Sequence, residues 1–214
     1  AGVAVLAPEF PGFGGAPPEE APTIAGVADR VAAQIAATAA GRAVVCGLSM
    51  GGYVALAVAA RHPARVARLV LASTRADADD AAARAGRDAA IARVRGGDLA
   101  GWRDEFVPRV LAADAPDGVL RAVRDIAARQ TPGAVAAALA ALRDRPDRRG
   151  DLAAVRVPAL AVWGDRDRVT PREAMEAIAA GIPDARLAVI PGAGHMTAIE
   201  RPEEFAEAIG PLLP

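Results

Sequence analysis

Gly47-Leu48-Ser49-Met50-Gly51-Gly52 sets a serine between an apolar run, Ala43 to Cys46, and an alanine-rich run, Tyr53 to Arg61. Glycines two before and two after it leave no Cβ to clash where a strand and a helix converge. The hydroxyl can then stand exposed on a sharp, strained turn. A serine presented in that way is a nucleophile for a carbonyl carbon. Composition alone produces G-x-S-x-G in about one chain in ten of this length, so the setting carries the argument. Gly164-Asp165-Arg166-Asp167-Arg168-Val169-Thr170-Pro171 offers a carboxylate, and Pro191-Gly192-Ala193-Gly194-His195-Met196 offers an imidazole. Nucleophile, base and orienting carboxylate are the three groups an activated serine needs. The only other histidine, His62, precedes Pro63 at a predicted helix end, where a cation is favourable and a structural role follows.

These residues must be brought together by elements far apart in the chain. Residues 2–7 form a short apolar run ending at Pro8 and read as a buried strand. A proline- and glycine-rich loop follows to Pro22. Thr23 can cap a helix whose apolar face is Ile24, Val27, Val31 and Ile35, with Gly41 closing it in the left-handed conformation. Then come a strand over 43–48, a helix over 50–61 and a strand over 66–73. Cys46 falls within the first of these strands and reads as a small core residue. From Thr74 to about Gly150 strand character stops. Helical periodicity broken at Gly96-Gly97, Pro108, Pro116, Pro132 and Pro146 predicts about four short helices forming a cap. A strand over 157–163, a helix over 171–180, a strand over 186–190 and a helix over 202–209 complete the chain.

Strands alternating with helices predict an α/β fold, a mostly parallel sheet flanked by helices. Its core is expected over 1–73 and 151–214, with residues 74–150 inserted as the helical cap. Ligand sites in such sheets lie beyond the carboxyl ends of the strands. Ser49, the acid-bearing loop and the His195 loop each follow a predicted strand, so parallel pairing brings them side by side.

The 214 residues suffice for one sizeable core. A net charge of −1 with well-mixed signs gives no electrostatic footprint for nucleic acid or acidic lipid. No apolar run approaches the roughly 20 residues that span a bilayer. One cysteine excludes an internal disulfide and fits a reducing, cytoplasmic setting. The chain opens Ala1-Gly2-Val3, with no leader pattern.

In its motifs the chain resembles the α/β-hydrolases, and among them capped bacterial esterases and enol-lactonases. The resemblance rests on Gly47 to Gly52, on Arg61-His62-Pro63 with Val66 to Leu71, and on Gly164-x-x-Asp167 with Pro171. It rests also on Gly192-Ala193-Gly194-His195 with Glu200-Arg201-Pro202, and on the loop Pro8 to Gly15. It implies that Ser49 is the nucleophile, His195 the base and then the acid, and Asp167 the carboxylate that orients His195. Asp165 is the rival acid; the family's spacing from the glycine favours Asp167. Met50 would supply one oxyanion-hole donor through its backbone N–H. A second donor, which the family takes from a loop after an earlier strand, has no counterpart in this sequence, and residues 2–7 correspond to the family's fourth strand. The expectation is an N-terminally incomplete hydrolase with a gap in its sheet.

The implied reaction is hydrolysis of a small carboxylic ester or lactone through an acyl-serine, with no cofactor and no metal. Carbon–carbon bond hydrolysis and cofactor-free perhydrolysis use the same three residues, and a catalytically silent binding protein could keep the same fold. Trp102, Phe106 and Val110 fall at helical spacing in the cap. Packing is the first reading of this stripe. The alternative is that Trp102 and Phe106, with Phe10 at the cleft mouth, line the substrate pocket. Oligomeric state and substrate identity are not legible.

Overall fold

The computed structural model describes residues 3–214. Four parallel strands form one sheet in the order β1 (Ala43–Leu48), β2 (Val66–Ala72), β3 (Ala159–Gly164), β4 (Ala185–Ile190). Helix α1 (Ile24–Ala36) precedes the sheet, and α2 (Met50–Arg61) joins β1 to β2. Between β2 and β3 run α3 (Ala81–Arg95), α4 (Leu99–Arg109), α5 (Asp117–Ala128) and α6 (Pro132–Arg143). Helix α7 (Arg172–Gly181) joins β3 to β4, and α8 (Thr197–Glu200) and α9 (Pro202–Ile209) follow β4.

Alternation along the strands builds two cores. Val45, Leu69, Leu71, Ala159, Ala161 and Trp163 face α1, α2 and α7, where they meet Ile24, Val27, Leu56, Val58, Met175 and Ile178. Val70, Ala72, Leu160, Val162 and Ile190 point to the other face and pack on Phe205 of α9. Full burial of such aliphatic side chains stabilises by about 1.5–3 kcal/mol each. Because both faces are covered, β2 and β3 read as continuous apolar runs rather than alternating ones.

The helix and strand expectations over 43–72 hold to within a residue, and α9 matches 202–209. Thr23 caps α1 through a bond from Gly26 N–H to its Oγ1 at 3.0 Å. Gly41, although left-handed at φ 62°, is not the end of α1, which stops at Ala36; it turns the chain into β1. Pro108 lies inside α4 rather than ending it, and the helix closes one residue later at Arg109. The four-residue α8 was not expected.

Two expectations near β1 fail. Residues 3–7 form no strand; they are exposed, with Val5 79% accessible, and Gly2 lies outside the described residues. The run is apolar, but β1 pairs only with β2 among the described residues, so no ladder reaches this segment. Cys46 is exposed rather than buried. Its side of β1 belongs to the α9 face, and α9 contacts β4, three strands away.

Candidate active site

Ser49 follows the last residue of β1 and stands immediately before α2, with φ 52° and ψ −113°. A non-glycine residue at positive φ is strained, by about 1–3 kcal/mol, and persists only where its surroundings hold it. Ser49 N–H donates to Ala72 O of β2 at 2.8 Å. On the other side its carbonyl accepts from Gly52 N–H at 2.9 Å and from Thr74 Oγ1–H at 2.9 Å.

The glycines around Ser49 divide unequally. A Cβ on Gly47 would run into the backbone of Gly51, and one on Gly52 would come within 2.5 Å of the Thr74 side chain. A Cβ on Gly51 would meet nothing within 4 Å. Strand and helix thus converge at Gly47 and Gly52, while Gly51 contributes the backbone that Gly47 abuts and has open space at its own side-chain position.

The acid-bearing loop leaves β3 at Gly164. Asp167 Oδ1 accepts from Val169 N–H at 2.8 Å and Thr170 N–H at 2.9 Å, which fixes the carboxylate. Thr170 is tied down in turn: its Oγ1–H donates to Ser73 O at 3.0 Å, and its carbonyl accepts from the Trp163 indole N–H at 3.0 Å. Asp165 points elsewhere and accepts from Gly192 N–H at 2.7 Å, shaping the neighbouring loop. Of the two candidate acids, Asp167 is the one beside His195.

The sequence-predicted residues converge. His195 Nδ1 lies 2.9 Å from Asp167 Oδ2, and His195 Nε2 lies 2.8 Å from Ser49 Oγ. The His195 and Asp167 side chains are 4% and 0% exposed. Burial works to raise the Asp167 carboxyl, but the imidazole beside it and the two backbone N–H groups outweigh burial and hold it below its ordinary value. An ionised carboxylate only accepts, so Nδ1 carries the imidazole proton and donates it to Asp167. Nε2 is left as an acceptor for the Ser49 hydroxyl. Such an arrangement can draw the proton from a serine as it attacks a carbonyl.

Met50 opens α2, so its N–H has no intrahelical acceptor and stands at the positive end of the helix beside Ser49. The three residues expected at a pocket are placed in packing contacts. Phe10 is buried edge-on against Phe13 at 5.9 Å in the main core. Trp102 stacks on Phe106 at 4.7 Å, and Trp102 packs against Ile91, Val94 and Val135 of α3 and α6. His62 is away from the site, its Nε2 2.6 Å from Asp29, and Arg61 with His62 holds that carboxyl down at about 2.

Two supports were missed by the sequence reading. Thr74 fixes the Ser49 carbonyl from the end of β2. Glu200, buried at 6% exposure, accepts from Ala112 N–H at 2.7 Å and Met196 N–H at 3.1 Å. It thereby ties the residue after His195 to the segment between α4 and α5. Met196 N–H also donates to Val110 O, and Arg168 donates to the carbonyls of Pro108 and Leu111. The helical insert therefore sits against both loops. Only the Glu200-Arg201-Pro202 tripeptide hinted at this; nothing local marked Thr74.

Among the described residues no helix is long and apolar enough to cross a membrane, and no group of three metal-ligating side chains occurs.

Residues 1–208 match the alpha/beta hydrolase family. A pimeloyl-[acyl-carrier protein] methyl ester esterase from Aromatoleum aromaticum is 35% identical over 227 aligned residues, covering 98% of this chain and 87% of that protein. Among solved structures, a thermophilic esterase from Thermogutta terrifontis superposes with a TM-score of 0.88 at 34% identity, over 94% of this chain and 76% of that one. The enol-lactonase from Burkholderia xenovorans superposes at 0.84 with 27% identity, over 94% and 76%. The chain belongs to the alpha/beta hydrolase family and is an enzyme of the esterase type.

Proposed function

We propose that this enzyme hydrolyses a small carboxylic ester through an acyl-serine, with Ser49 as nucleophile, His195 as general base and then acid, and Asp167 as the carboxylate that orients the imidazole. The observation that carries the reading is the unbroken line from Asp167 Oδ2 through His195 to Ser49 Oγ, at 2.9 and 2.8 Å, on a serine at positive φ. Ser49 Oγ attacks the ester carbonyl as Nε2 takes its proton, and Asp167 stabilises the imidazolium. The carbonyl oxygen becomes an oxyanion, which the Met50 N–H faces at the start of α2. His195 returns the proton to the departing alcohol. A water deprotonated by Nε2 then cleaves the acyl-serine.

A methyl ester is the substrate class favoured by the relatives' names, and a lactone is the next, from the enol-lactonase likeness. In a lactone the departing alkoxide stays tethered to the acyl group, so the same steps apply. Residues 74–150 act as a cap. The bonds from Arg168 to the Pro108 and Leu111 carbonyls, and from Met196 N–H to Val110 O, support its place over the strand ends. Trp102 and Phe106 serve as cap packing in this reading.

Labelling with a fluorophosphonate, read by intact mass, tests the proposal. One adduct in the parent and none in Ser49→Ala is the expected result. Equal labelling of both proteins, or hydrolysis of an ester panel undiminished in Ser49→Ala, would overturn it.

A further inference from the structure

Ser73 follows the last residue of β2 and, like Ser49, holds a positive φ without being glycine; among the described residues these two are alone in that. Its φ is 45°, and it is fully buried. A residue keeps such a conformation only where its surroundings over-determine it, and such residues cluster at functional sites. The side chain does not supply the hold, because Ser73 Oγ is buried without a hydrogen-bond partner. The main chain does. Ser73 N–H donates to Val162 O of β3 at 2.9 Å, and Ser73 O accepts from Thr170 Oγ1–H at 3.0 Å.

Thr74 carries the turn to the opposite neighbour. It is fully buried, and its Oγ1–H donates to Ser49 O at 2.9 Å. Since β2 lies between β1 and β3, two adjacent residues at the end of the middle strand reach the nucleophile on one side and the acid-bearing loop on the other. The contacts close into a circuit. From Ser49 O it runs to Thr74, through the peptide to Ser73, and from Ser73 O to Thr170. Thr170 N–H leads on to Asp167 Oδ1, Asp167 Oδ2 to His195 Nδ1, and His195 Nε2 back to Ser49 Oγ.

The ladder between strands sets their spacing, roughly 4.8 Å, but not how the loops beyond it are turned. The circuit does that. The Ser49 carbonyl carbon is bonded to its Cα, so pinning the oxygen fixes the angle from which Oγ rises. Pinning Asp167 Oδ1 fixes where Oδ2 meets the imidazole.

We propose that Ser73 and Thr74 are positioning residues for the reaction, a strained turn that sets Ser49 against the carboxylate that orients His195. The proposal rests on the acyl-serine reading above. Neither residue is assigned a contact with the reacting atoms; Thr74 acts through the Ser49 main chain and Ser73 through Thr170 and Asp167. Because the links lie in series, cutting one opens the circuit and cutting a second adds little, whereas two unrelated contacts would multiply their effects.

Fluorophosphonate labelling of the full chain, followed in time by intact mass at several probe concentrations, separates the limiting rate from the half-saturating concentration. Thr74→Val keeps the side chain's shape and loses its hydroxyl. It should lower the limiting rate by about tenfold or more and leave the half-saturating concentration within about twofold. Thr74→Ser, which keeps the hydroxyl, should recover most of the rate. Thr170→Val cuts the other tie and should show the same loss; with Thr170→Ser as its rescue, it carries the test if Thr74→Val does not fold. The double variant should be within about twofold of the slower single one. A merely structural role would lower the fraction of protein that can be labelled and leave the limiting rate where it was. That result, a smaller fall in rate, a serine variant as slow as the valine one, or a double variant losing the product of the two would overturn the proposal. Ser49→Ala keeps the two failures apart. Label on Ser49→Ala as on the parent sinks the acyl-serine reading and this proposal with it. An unlabelled Ser49→Ala beside a Thr74→Val that labels at the parent's rate sinks this proposal alone.

Discussion

Asp167→Asn separates the orienting role from mere packing, because the geometry dictates how an amide must sit. Asp167 Oδ1 takes both backbone N–H groups, from Val169 and Thr170, and Oδ2 faces His195 Nδ1 at 2.9 Å. An asparagine can keep its oxygen on the two backbone donors, which holds the loop. Its NH₂ group then faces Nδ1. The opposite flip would set NH₂ against two N–H donors and is disfavoured. Since NH₂ only donates, Nδ1 must become an acceptor, and the imidazole proton moves to Nε2. His195 would then donate toward Ser49 Oγ instead of accepting from it, and no base remains.

The loss expected from this wrong tautomer is about 10⁴-fold in turnover, or about 5 kcal/mol of transition-state stabilisation. Stability should fall by only about 1–3 kcal/mol, the worth of one charge-assisted bond. Initial rates on a chromogenic short-chain aryl ester, normalised by active-site titration, read the first quantity, and urea unfolding reads the second. Asp165→Asn is the control. Its oxygen can go on accepting from Gly192 N–H, so its rate should stay within about twofold of the parent. Asp167→Asn within tenfold of the parent, or a larger loss in Asp165→Asn, would refute the assignment.

Three further outcomes follow from the same contacts. Gly51→Ala should be tolerated or slightly stabilising in thermal unfolding, by up to about 1 kcal/mol, because α2 gains a better helix former and open space receives the methyl. Gly47→Ala should cost at least about 1–3 kcal/mol, since its Cβ meets backbone that must shift; equal Tm values for the two variants would contradict the convergence at Gly47. Asp79→Ala leaves the buried Arg145 guanidinium without its carboxylate and should destabilise by about 3–5 kcal/mol in urea unfolding. Acid should also destabilise the fold. The carboxyls of Asp77, Asp79 and Asp167 lie below their ordinary value of 3.8 when folded, so the unfolded chain takes up protons first. Their contribution is complete above about pH 5 and drains away as pH falls through the folded values. A Tm that stays level from pH 6 to pH 3 would contradict this.

The residues of the site were legible because each carries its own local mark. Ser49 has flanking glycines between an apolar strand and a helix, and Asp167 and His195 sit in short glycine-bearing loops after apolar runs. Strand ends of a parallel sheet meet in space whatever their spacing in sequence, so Ser49 and His195 could be joined before any coordinates. The rival carboxylate was a different matter. Asp165 and Asp167 differ only in where a tight turn aims them, and Gly192 N–H captures the first while two backbone N–H groups hold the second toward His195. Residues 3–7 misled for a related reason: apolar composition shows a taste for burial, but a strand also needs a partner's backbone, which no residue in the run encodes.

What stayed hidden is the scaffolding, and the reason is physical. Thr74 supports Ser49 by one hydroxyl aimed at a carbonyl, and Glu200 supports the His195 loop by accepting from two N–H groups. Side chain to backbone bonds of this kind have no required spacing and no partner residue type, so they leave no pattern. They also change how the insert should be regarded. Glu200 holds Met196 and Ala112 at once, and Val110 O accepts from Met196 N–H. The residue after His195 is therefore anchored to the insert rather than to the sheet alone. Any movement of the 110–112 segment pulls directly on the loop that sets the Nε2 to Ser49 Oγ distance. In this enzyme the insert is part of the apparatus that holds the His195 loop in place.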